Sequence, residues 1–428
     1  MSVPSRIHVW SALAGILASL IYALLRRTGI EVNADGWAYW QGAQSIAEGM
    51  GYRYFSGDPI VAWPPLYSLY LSAWIKLGGS EAFVLILANG VLIFLQGVAW
   101  TLLCFLFVKD RLQPGALKYV AVYIALTVAL YEGAVLAHNL FYTILPIFIG
   151  ASWMTIHYEG RREPYIALTC ALGIALVESH ISGVVYLAAT ALMVIVLGTG
   201  GLQNRVWSAL AILAIPVVAL ALTAWGLGQL GGHPIGGGRF SLIRNLLQVA
   251  EGIGFFVLLE SGQSLGWICA LLVFAVLGLY AFELKTKHLP FVLIFAGFSL
   301  SLLGVAFSVT WLNGFVSESR HLLIFPLLMI PIFVSYLLSS RTPVARVAAL
   351  FVLMAPLGRT LIPDASIASD DLVPIRATIS PIPGFGKTAT INGRLLVGPI
   401  PWEEPQGGYS PTGAPRWGAS QAGAFRAR

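Results

Sequence analysis

The sequence predicts an all-α polytopic membrane protein with about eleven transmembrane helices, within a range of about ten to thirteen. Of the 428 residues, 57% are apolar and only 10% are charged, whereas ordinary soluble domains are about a quarter charged. The mean hydropathy is +0.80, and apolar stretches recur from residue 7 to residue 362. Because no soluble fold shields that much apolar surface from water, lipid is the expected solvent for most of the chain.

Charge and cysteine usage exclude several other classes of protein. The net charge of +6 is spread over single or paired basic residues between apolar runs, so no nucleic-acid partner is expected. Cys104, Cys170 and Cys269 all fall inside apolar runs, which argues against a disulfide-stabilised secreted scaffold. The first apolar run is followed by Arg26-Arg27 instead of a small-residue cleavage site, and is expected to be retained as a span.

Each predicted span is an apolar run of roughly the 17 to 25 residues that a helix needs to cross a bilayer. The runs are 7–25, 82–108, 116–133, 139–158, 164–178, 181–199, 206–229, 263–282, 290–310, 321–340 and 344–362. A further apolar helix is expected at 64–78, which is short for a complete crossing. The runs end at residue 362, so the chain divides into a membrane domain, 1–362, and a tail.

Lysines and arginines in short loops predict the orientation, because they concentrate on the cytoplasmic side. With the N-terminus inside, the alternation of basic loops fits eleven crossings and an integral protein of the bacterial inner membrane. Outer loop 1 then spans 28–63 and outer loop 4 spans 230–262, each with an interfacial helix. The proline- and glycine-rich tail, 363–428, is expected outside the membrane and partly disordered, with a short hairpin within 387–400.

Outer loop 1 carries the most informative pattern. Its residues 36–48 have helical periodicity and an aromatic face, which predicts a short helix lying at the interface. Asp35 stands just before this helix and has two compatible interpretations. It is a helix N-cap, accepting backbone N–H bonds, or it is a catalytic carboxylate that the helix terminus keeps ionised.

The spacing of several residues resembles the membrane glycosyltransferases of the C superfamily. The resemblance consists of a first span followed by Asp35, Tyr39, Ala43, Gly49, Gly51-Tyr52 and Pro64-Pro65-Leu66-Tyr67. These enzymes use polyprenyl-phosphate sugars and are related to lipid A aminoarabinose transferases and protein O-mannosyltransferases. The resemblance implies a lipid-phosphate sugar donor, an acceptor reached from the outer face, inversion at the anomeric carbon, and Asp35 as the general base.

One carboxylate is sufficient for this reaction. The base takes the proton of the acceptor hydroxyl as the hydroxyl oxygen attacks. The leaving phosphate needs no acid to protonate it, whereas glycoside hydrolases commonly carry a pair of carboxyl groups. No cofactor is implied, no metal ligands are assigned, and dependence on a divalent metal is left open.

Four further outer residues, together with Tyr39, are candidates for substrate contact: His138, Glu178, His180 and His321. Related enzymes often carry an acidic residue before a Leu-Phe pair, where this chain has His138-Asn139. That departure weakens a two-carboxylate or metal-binding version of the site, and His138 is alternatively an interfacial histidine. Glu178 and His180 lie in a tight outer turn and either contact substrate hydroxyls or are solvated.

Cations for the donor phosphate are expected in outer loops 4 and 5. Arg239 and Arg244 border a glycine-rich stretch and an amphipathic helix, which is either a lid or an ordinary surface helix. Arg320 and His321 precede Leu-Leu, a pattern that resembles the related enzymes. A guanidinium there suits bidentate phosphate binding, although snorkelling to lipid headgroups is an alternative for Arg320.

The predicted function is therefore transfer of a sugar from a polyprenyl-phosphate carrier to a lipid, glycan or protein acceptor at the outer membrane surface. Two other classes remain open, a non-enzymatic transporter or flippase of lipid-linked sugars and a structural subunit of an envelope assembly complex. A transporter usually needs charged residues and broken helices near the bilayer midplane. The predicted spans are almost free of mid-span charge, which favours chemistry at the surface.

Overall fold

The computed structural model describes most of the first half of the chain. It covers residues 3–227 except 27–29, 33, 55–58, 61–62, 79–80, 109–116, 132–136 and 159–160, and beyond them 327, 346–347, 350, 376–379, 388–391 and 394–397. The predicted spans at 263–282, 290–310, 321–340 and 344–362, apart from those isolated positions, lie outside the described residues. So do Arg239, Arg244, Arg320, His321 and the helix expected in outer loop 4.

Helices dominate the described structure. They are α1 (Val3–Leu25), α2 (Ala34–Ala47), α3 (Leu66–Leu77), α4 (Glu81–Val108), α5 (Leu117–Tyr131), α6 (Ala137–His157), α7 (Glu163–Ser179), α8 (Gly183–Leu197) and α9 (Leu202–Gly226). The segment α1 packs against α4 and α5, α4 against α6, and α7 against α6 and α9. The two short helices α2 and α3 pack on each other, and α3 also contacts α4 and α7.

Four of these helices are long and apolar enough to cross a membrane. The qualifying segments are Arg6–Leu25, Val84–Leu106, Ala137–His157 and Leu202–Gly226, and each overlaps a predicted span. Helices α5, α7 and α8 also coincide with predicted spans but have 15, 17 and 15 residues. At 1.5 Å per residue, 15 residues extend about 22 Å, less than the roughly 30 Å hydrocarbon core.

Prolines and glycines set the ends of the two short helices. Pro65 immediately precedes α3, where its fixed φ is compatible with the first helical turn. Gly78 ends α3 with a φ of 87°, a left-handed conformation that side chains with a Cβ rarely adopt. The segment after α2 likewise contains Gly49 and Gly51 at positive φ. The expected helices at 36–48 and 64–78 are thus both present, with ends shifted by a few residues.

Small residues allow α1 and α4 to approach closely. A Cβ atom built on Gly97 of α4 would lie 2.9 Å from the Cα of Gly15 in α1. About two helical turns before Gly97 in α4, the carbonyl of Gly90 accepts a 3.0 Å hydrogen bond from the Ser19 hydroxyl of α1. Close backbone approach of this kind is typical of helices packed within a membrane.

A proline inside α6 is compensated by a neighbouring helix. Pro146 has no N–H, so the carbonyl of Tyr142, four residues earlier, loses its usual helical donor. The indole N–H of Trp100 in α4 donates to that carbonyl at 3.1 Å. A backbone oxygen that would otherwise be unsatisfied away from water is therefore hydrogen-bonded, and α4 is joined to α6 at this level.

Four short strands form an antiparallel sheet in the order β1 (Ile30–Val32), β2 (Arg376–Ile379), β3 (Thr388–Ile391) and β4 (Arg394–Val397). Strands β3 and β4 form the hairpin expected within 387–400, with Thr388 opposite Val397. Strand β2 pairs with β1, with Ile30 opposite Ile379. This pairing joins the tail to outer loop 1 and agrees with the two segments lying on one side of the membrane.

The contact between α1 and α4 leads to a stability prediction. Gly97→Ala should lower the free energy of unfolding by about 1–3 kcal/mol, because the added Cβ meets backbone that cannot yield locally. Gly90→Ala is the matched control, since its Cβ would meet only the Ser19 hydroxyl at 3.7 Å. Thermal unfolding in detergent micelles, followed by circular dichroism, compares the two variants. Equal midpoints would contradict the tight crossing at Gly97.

Candidate functional site

Asp35 lies in the first turn of α2, one residue after the helix begins at Ala34. The expectation that Asp35 precedes the helix as its N-cap is therefore wrong by this boundary. An acidic residue in a first turn still experiences the positive end of the helix dipole, which favours the ionised carboxylate. The side chain of Asp35 is outside the described part of the structure, so only its place in the helix is established.

Helix α2 is anchored on α3 through Tyr39. This residue is 1% exposed, and its ring packs edge-on against Tyr67 with centroids 5.4 Å apart. The hydroxyl of Ser68 in α3 donates a 2.8 Å hydrogen bond to the carbonyl of Tyr39. The structure thus places Tyr39, a predicted substrate contact, in the interface between α2 and α3.

The segment after α2 folds back over the helix. A Cβ on Gly42 would lie 2.4 Å from the ring of Tyr52 and 2.9 Å from Ile60. The backbone N–H of Ile60 donates to the carbonyl of Tyr52 at 3.2 Å, which closes a turn above α2. Because the Tyr52 ring comes this close, position 42 requires a glycine. Burial also raises the pKa of the Tyr52 phenol, so this hydroxyl stays protonated at neutral pH.

A buried amide junction joins α3, α4 and α6. The Oδ1 atom of Asn89 in α4 accepts a 2.8 Å hydrogen bond from the Tyr67 hydroxyl and a 2.6 Å bond from Nδ2 of Asn139 in α6. The Nδ2 atom of Asn89 donates to the carbonyl of Leu85 at 2.8 Å. Tyr67, Asn89 and Asn139 are each 0% exposed, and we refer to these three residues as the amide junction.

The backbone of Asn139 is fixed by two further side chains. Its carbonyl accepts hydrogen bonds from Nε2 of Gln96 in α4 at 2.8 Å and from the hydroxyl of Thr143 at 2.7 Å. The first turn of α6 is thereby bonded to α4 through both the side chain and the main chain of one residue. Neither Asn89 nor Gln96 was a candidate from the sequence, although a lone amide within an apolar span is a signal that could have indicated them.

The first turn of α6 also brings two predicted site residues together. The rings of His138 in α6 and His180, which directly follows α7, have centroids 4.4 Å apart. His138 is 4% exposed and His180 is 8% exposed. The interpretation of His180 as a solvated turn residue is therefore wrong, since its ring packs against that of His138. His138 lies at a helix end, as predicted, and its ring is buried there.

The turn after α7 fixes the tautomer of His180. The backbone N–H of Ser182 donates to Nδ1 of His180 at 3.2 Å, and the Ser182 hydroxyl lies 2.7 Å from the same nitrogen. An imidazole nitrogen that accepts an N–H bond carries no proton, so the neutral ring has its proton on Nε2. His180 therefore presents an N–H donor at Nε2 while its Nδ1 is held by the turn.

Glu178 is buried in the last turn of α7. It is 8% exposed, and its Oε1 has no hydrogen-bond partner among the described residues. Thr223 of α9 lies near the carboxyl group. The expectation that Glu178 is a solvated turn residue is thus wrong. A buried carboxyl group with an unsatisfied oxygen costs stability, which is typical of a residue kept for function.

Contacts link three of the predicted site residues, Tyr39, His138 and His180, in one continuous series. Tyr39 packs on Tyr67, Tyr67 bonds to Asn89, Asn89 bonds to Asn139, and the neighbouring His138 packs on His180. Glu178 lies two residues before His180. Within residues 3–227 and the other described positions, no group of three or more His, Cys, Asp or Glu side chains is arranged to hold a metal ion.

Burial of Glu178 leads to a second stability prediction. Glu178→Met fills a similar volume without an unsatisfied oxygen, so the free energy of unfolding should rise by about 1 kcal/mol or more. Ser179→Ala serves as the comparison, because it removes a hydroxyl that donates to the Leu176 carbonyl at 2.7 Å. That variant should lose roughly 0.5–1.5 kcal/mol. Thermal unfolding measures both, and a less stable Glu178→Met would assign the carboxyl group a structural role.

Comparison with known proteins identifies no family for this chain. No protein-family model matches it, and no curated protein matches it. The argument for a function therefore depends on the residues of the chain and on the geometry of α2, the amide junction and the turn after α7.

Proposed function

We propose that this chain is a membrane glycosyltransferase that moves a sugar from a polyprenyl-phosphate carrier to an acceptor hydroxyl. The observation that carries the proposal is the placement of α2. This short helix bears Asp35 in its first turn and is bonded through α3 to a group of buried polar residues. We refer to this group as the polar wall; it consists of the amide junction with His138, His180 and Glu178. The spaced pattern from Asp35 to Tyr67 that resembles the C superfamily supports the same reaction.

In the proposed reaction Asp35 is the general base. As the acceptor oxygen forms its bond to the anomeric carbon, the carboxylate takes the hydroxyl proton. The bond between the anomeric carbon and the phosphate oxygen breaks, its electron pair stays with the phosphate, and the anomeric configuration inverts. Polyprenyl phosphate leaves within the membrane. Arg320, with Arg239 and Arg244, is proposed to neutralise that phosphate.

Residues in the polar wall have proposed roles on the acceptor side. The Nε2–H of His180 is a donor and the Oε1 of Glu178 is an acceptor, a pair suited to a hydroxyl-bearing acceptor. His138 and Tyr39 are proposed to shape this region, and His321 to line the donor side. The acceptor is a lipid, glycan or protein with a free hydroxyl, and the proposed location is the extracytoplasmic face of the bacterial inner membrane.

Substitution of Asp35 tests the reaction. Asp35→Asn keeps a hydrogen-bond acceptor of the same size but removes the base, so the rate of transfer should fall by roughly 10²-fold or more. The assay uses purified protein in proteoliposomes with radiolabelled polyprenyl-phosphate hexoses and pentoses, and follows release of polyprenyl phosphate with a membrane extract as acceptor.

Glu48→Gln is the matched control for Asp35→Asn, because Glu48 is an exposed acid just beyond the other end of α2. It should transfer sugar at the wild-type rate. Equal rates for wild type and Asp35→Asn would show that Asp35 is not the general base. Movement of the lipid-linked sugar across the bilayer without its transfer, in wild type and Asp35→Asn alike, would favour the flippase.

Cysteine labelling tests the proposed orientation. Met50 follows α2 and is 56% exposed, whereas Leu202 begins α9 and is 61% exposed. In a chain lacking Cys104, Cys170 and Cys269, a membrane-impermeant thiol reagent should label Met50→Cys in intact cells. It should label Leu202→Cys only after the membrane is opened, and the reverse result would invalidate a site on the outer face.

A further inference from the structure

The amide junction concentrates two interhelical hydrogen bonds on one oxygen atom. Oδ1 of Asn89 has two lone pairs, and donors from α3 and α6 occupy both. Its Nδ2 bonds to Leu85 within α4, which holds the amide group in one orientation. Because hydrogen bonds are directional, this arrangement fixes both neighbouring helices relative to α4, whereas apolar packing tolerates sliding.

On its α3 side, the junction is connected to α2, the helix that carries the proposed base. Tyr67 packs edge-on against Tyr39, and the adjacent Ser68 bonds to the carbonyl of Tyr39. Asp35 lies one helical turn before Tyr39 in the same short helix. Any displacement of Tyr67 is therefore transmitted to α2 through two contacts at a single residue.

The α6 side leads to the histidine pair. Asn139 is adjacent to His138 in the first turn of α6, and its carbonyl is bonded to Gln96 of α4. The ring of His138 packs against His180 at the end of α7. The junction thus stands between the two groups of residues that the proposed reaction requires to act together.

We propose that Asn89 is a positioning residue: its side-chain oxygen sets the distance between α2, which carries Asp35, and the His138–His180 pair. This inference rests on the proposed function for its catalytic consequence, but its mechanical part concerns the helices alone. Asn89 is fully buried, and no direct contact with the substrate is proposed for it. Its effect on the reaction acts entirely through α2 and α6, because a shift of about 1 Å in a reacting group costs up to about 100-fold in rate.

The test removes the polar groups of all three residues of the amide junction at once. In the triple variant Tyr67→Phe, Asn89→Leu and Asn139→Leu, the partnered polar groups are replaced together by apolar ones, so the thermal midpoint should stay close to that of wild type. Hydrogen exchange of the α2 amides should become about tenfold faster or more, because α2 opens locally. The turnover number should fall about tenfold or more, while KM for a polyprenyl-phosphate hexose changes by less than about twofold.

Two single variants complete the experiment. Ser152→Ala removes a buried hydroxyl of α6 that lies 3.4 Å from the Thr190 hydroxyl in α8, away from α3. It should leave α2 exchange and turnover unchanged. Tyr67→Phe removes one hydroxyl from the junction and should accelerate α2 exchange in the same direction as the triple variant, which keeps the test valid if the triple variant does not fold.

The outcomes separate the two proposals. Wild-type α2 exchange in both Tyr67→Phe and the triple variant would overturn the positioning role. Faster α2 exchange with unchanged turnover would assign the junction to stability of α2 alone and would also overturn it. If wild type transfers no sugar from any donor, the proposed function fails, and the exchange measurements still decide whether Asn89 holds α2.

Discussion

The described fold depends on hydrogen bonds between helices that satisfy polar groups removed from water. Oδ1 of Asn89 accepts such bonds from the Tyr67 hydroxyl and the Asn139 amide at once, and so determines how α3 and α6 lie against α4. The indole of Trp100 donates another to the Tyr142 carbonyl, which Pro146 leaves without a helical donor. Because lipid offers no substitute partners, these contacts restrict the helices to one relative arrangement.

Close packing on the other face of α4 complements these hydrogen bonds. Gly97 and Gly15 bring the backbones of α4 and α1 together, and Ser19 adds a bond to Gly90. Helix α4 is therefore constrained on two sides, by backbone contact with α1 and by side-chain bonds to α3 and α6. The short helix α2 packs on α3, where the Tyr39 ring meets Tyr67 and the Tyr39 carbonyl accepts a hydrogen bond from Ser68.

The sequence allowed the helices to be predicted far better than their contacts. The predicted spans that coincide with α1, α4, α6 and α9 differ from these helices by only a few residues at their ends. The prediction succeeds because the length and hydrophobicity of an apolar run are local properties of the sequence. The helix at 34–47 followed from its periodicity, but its first residue did not, so Asp35 was expected outside a helix that contains it. The pairing of Ile30 with Ile379 is a long-range contact that no local pattern encodes.

The candidate site shows the same division between local and long-range information. His138, His180 and Glu178 were recognisable as polar residues at predicted span ends, yet their burial was not, because burial depends on which helices pack nearby. Asn89 was not among the predicted site residues, because it is a single uncharged amide inside an apolar run. A junction built from Tyr67, Asn89 and Asn139 requires three helices in register, which single-span patterns do not reveal.

At His138-Asn139 the chain differs from the glycosyltransferases that its sequence pattern resembles, and these contacts give the difference a physical explanation. Both residues are almost fully covered, with His138 packed on the His180 ring and Asn139 bonded to Asn89. A carboxylate at either position would lose hydration, and at position 139 it would place a second acceptor against Oδ1 of Asn89. A negative charge there could be held only by rebuilding the junction that anchors α3 and, through Tyr39, α2. In the proposed reaction the chain therefore relies on one base, Asp35, and uses the first turn of α6 to hold that base in place. A phosphate leaving group makes this division of roles chemically sufficient, because it departs without an acid to protonate it.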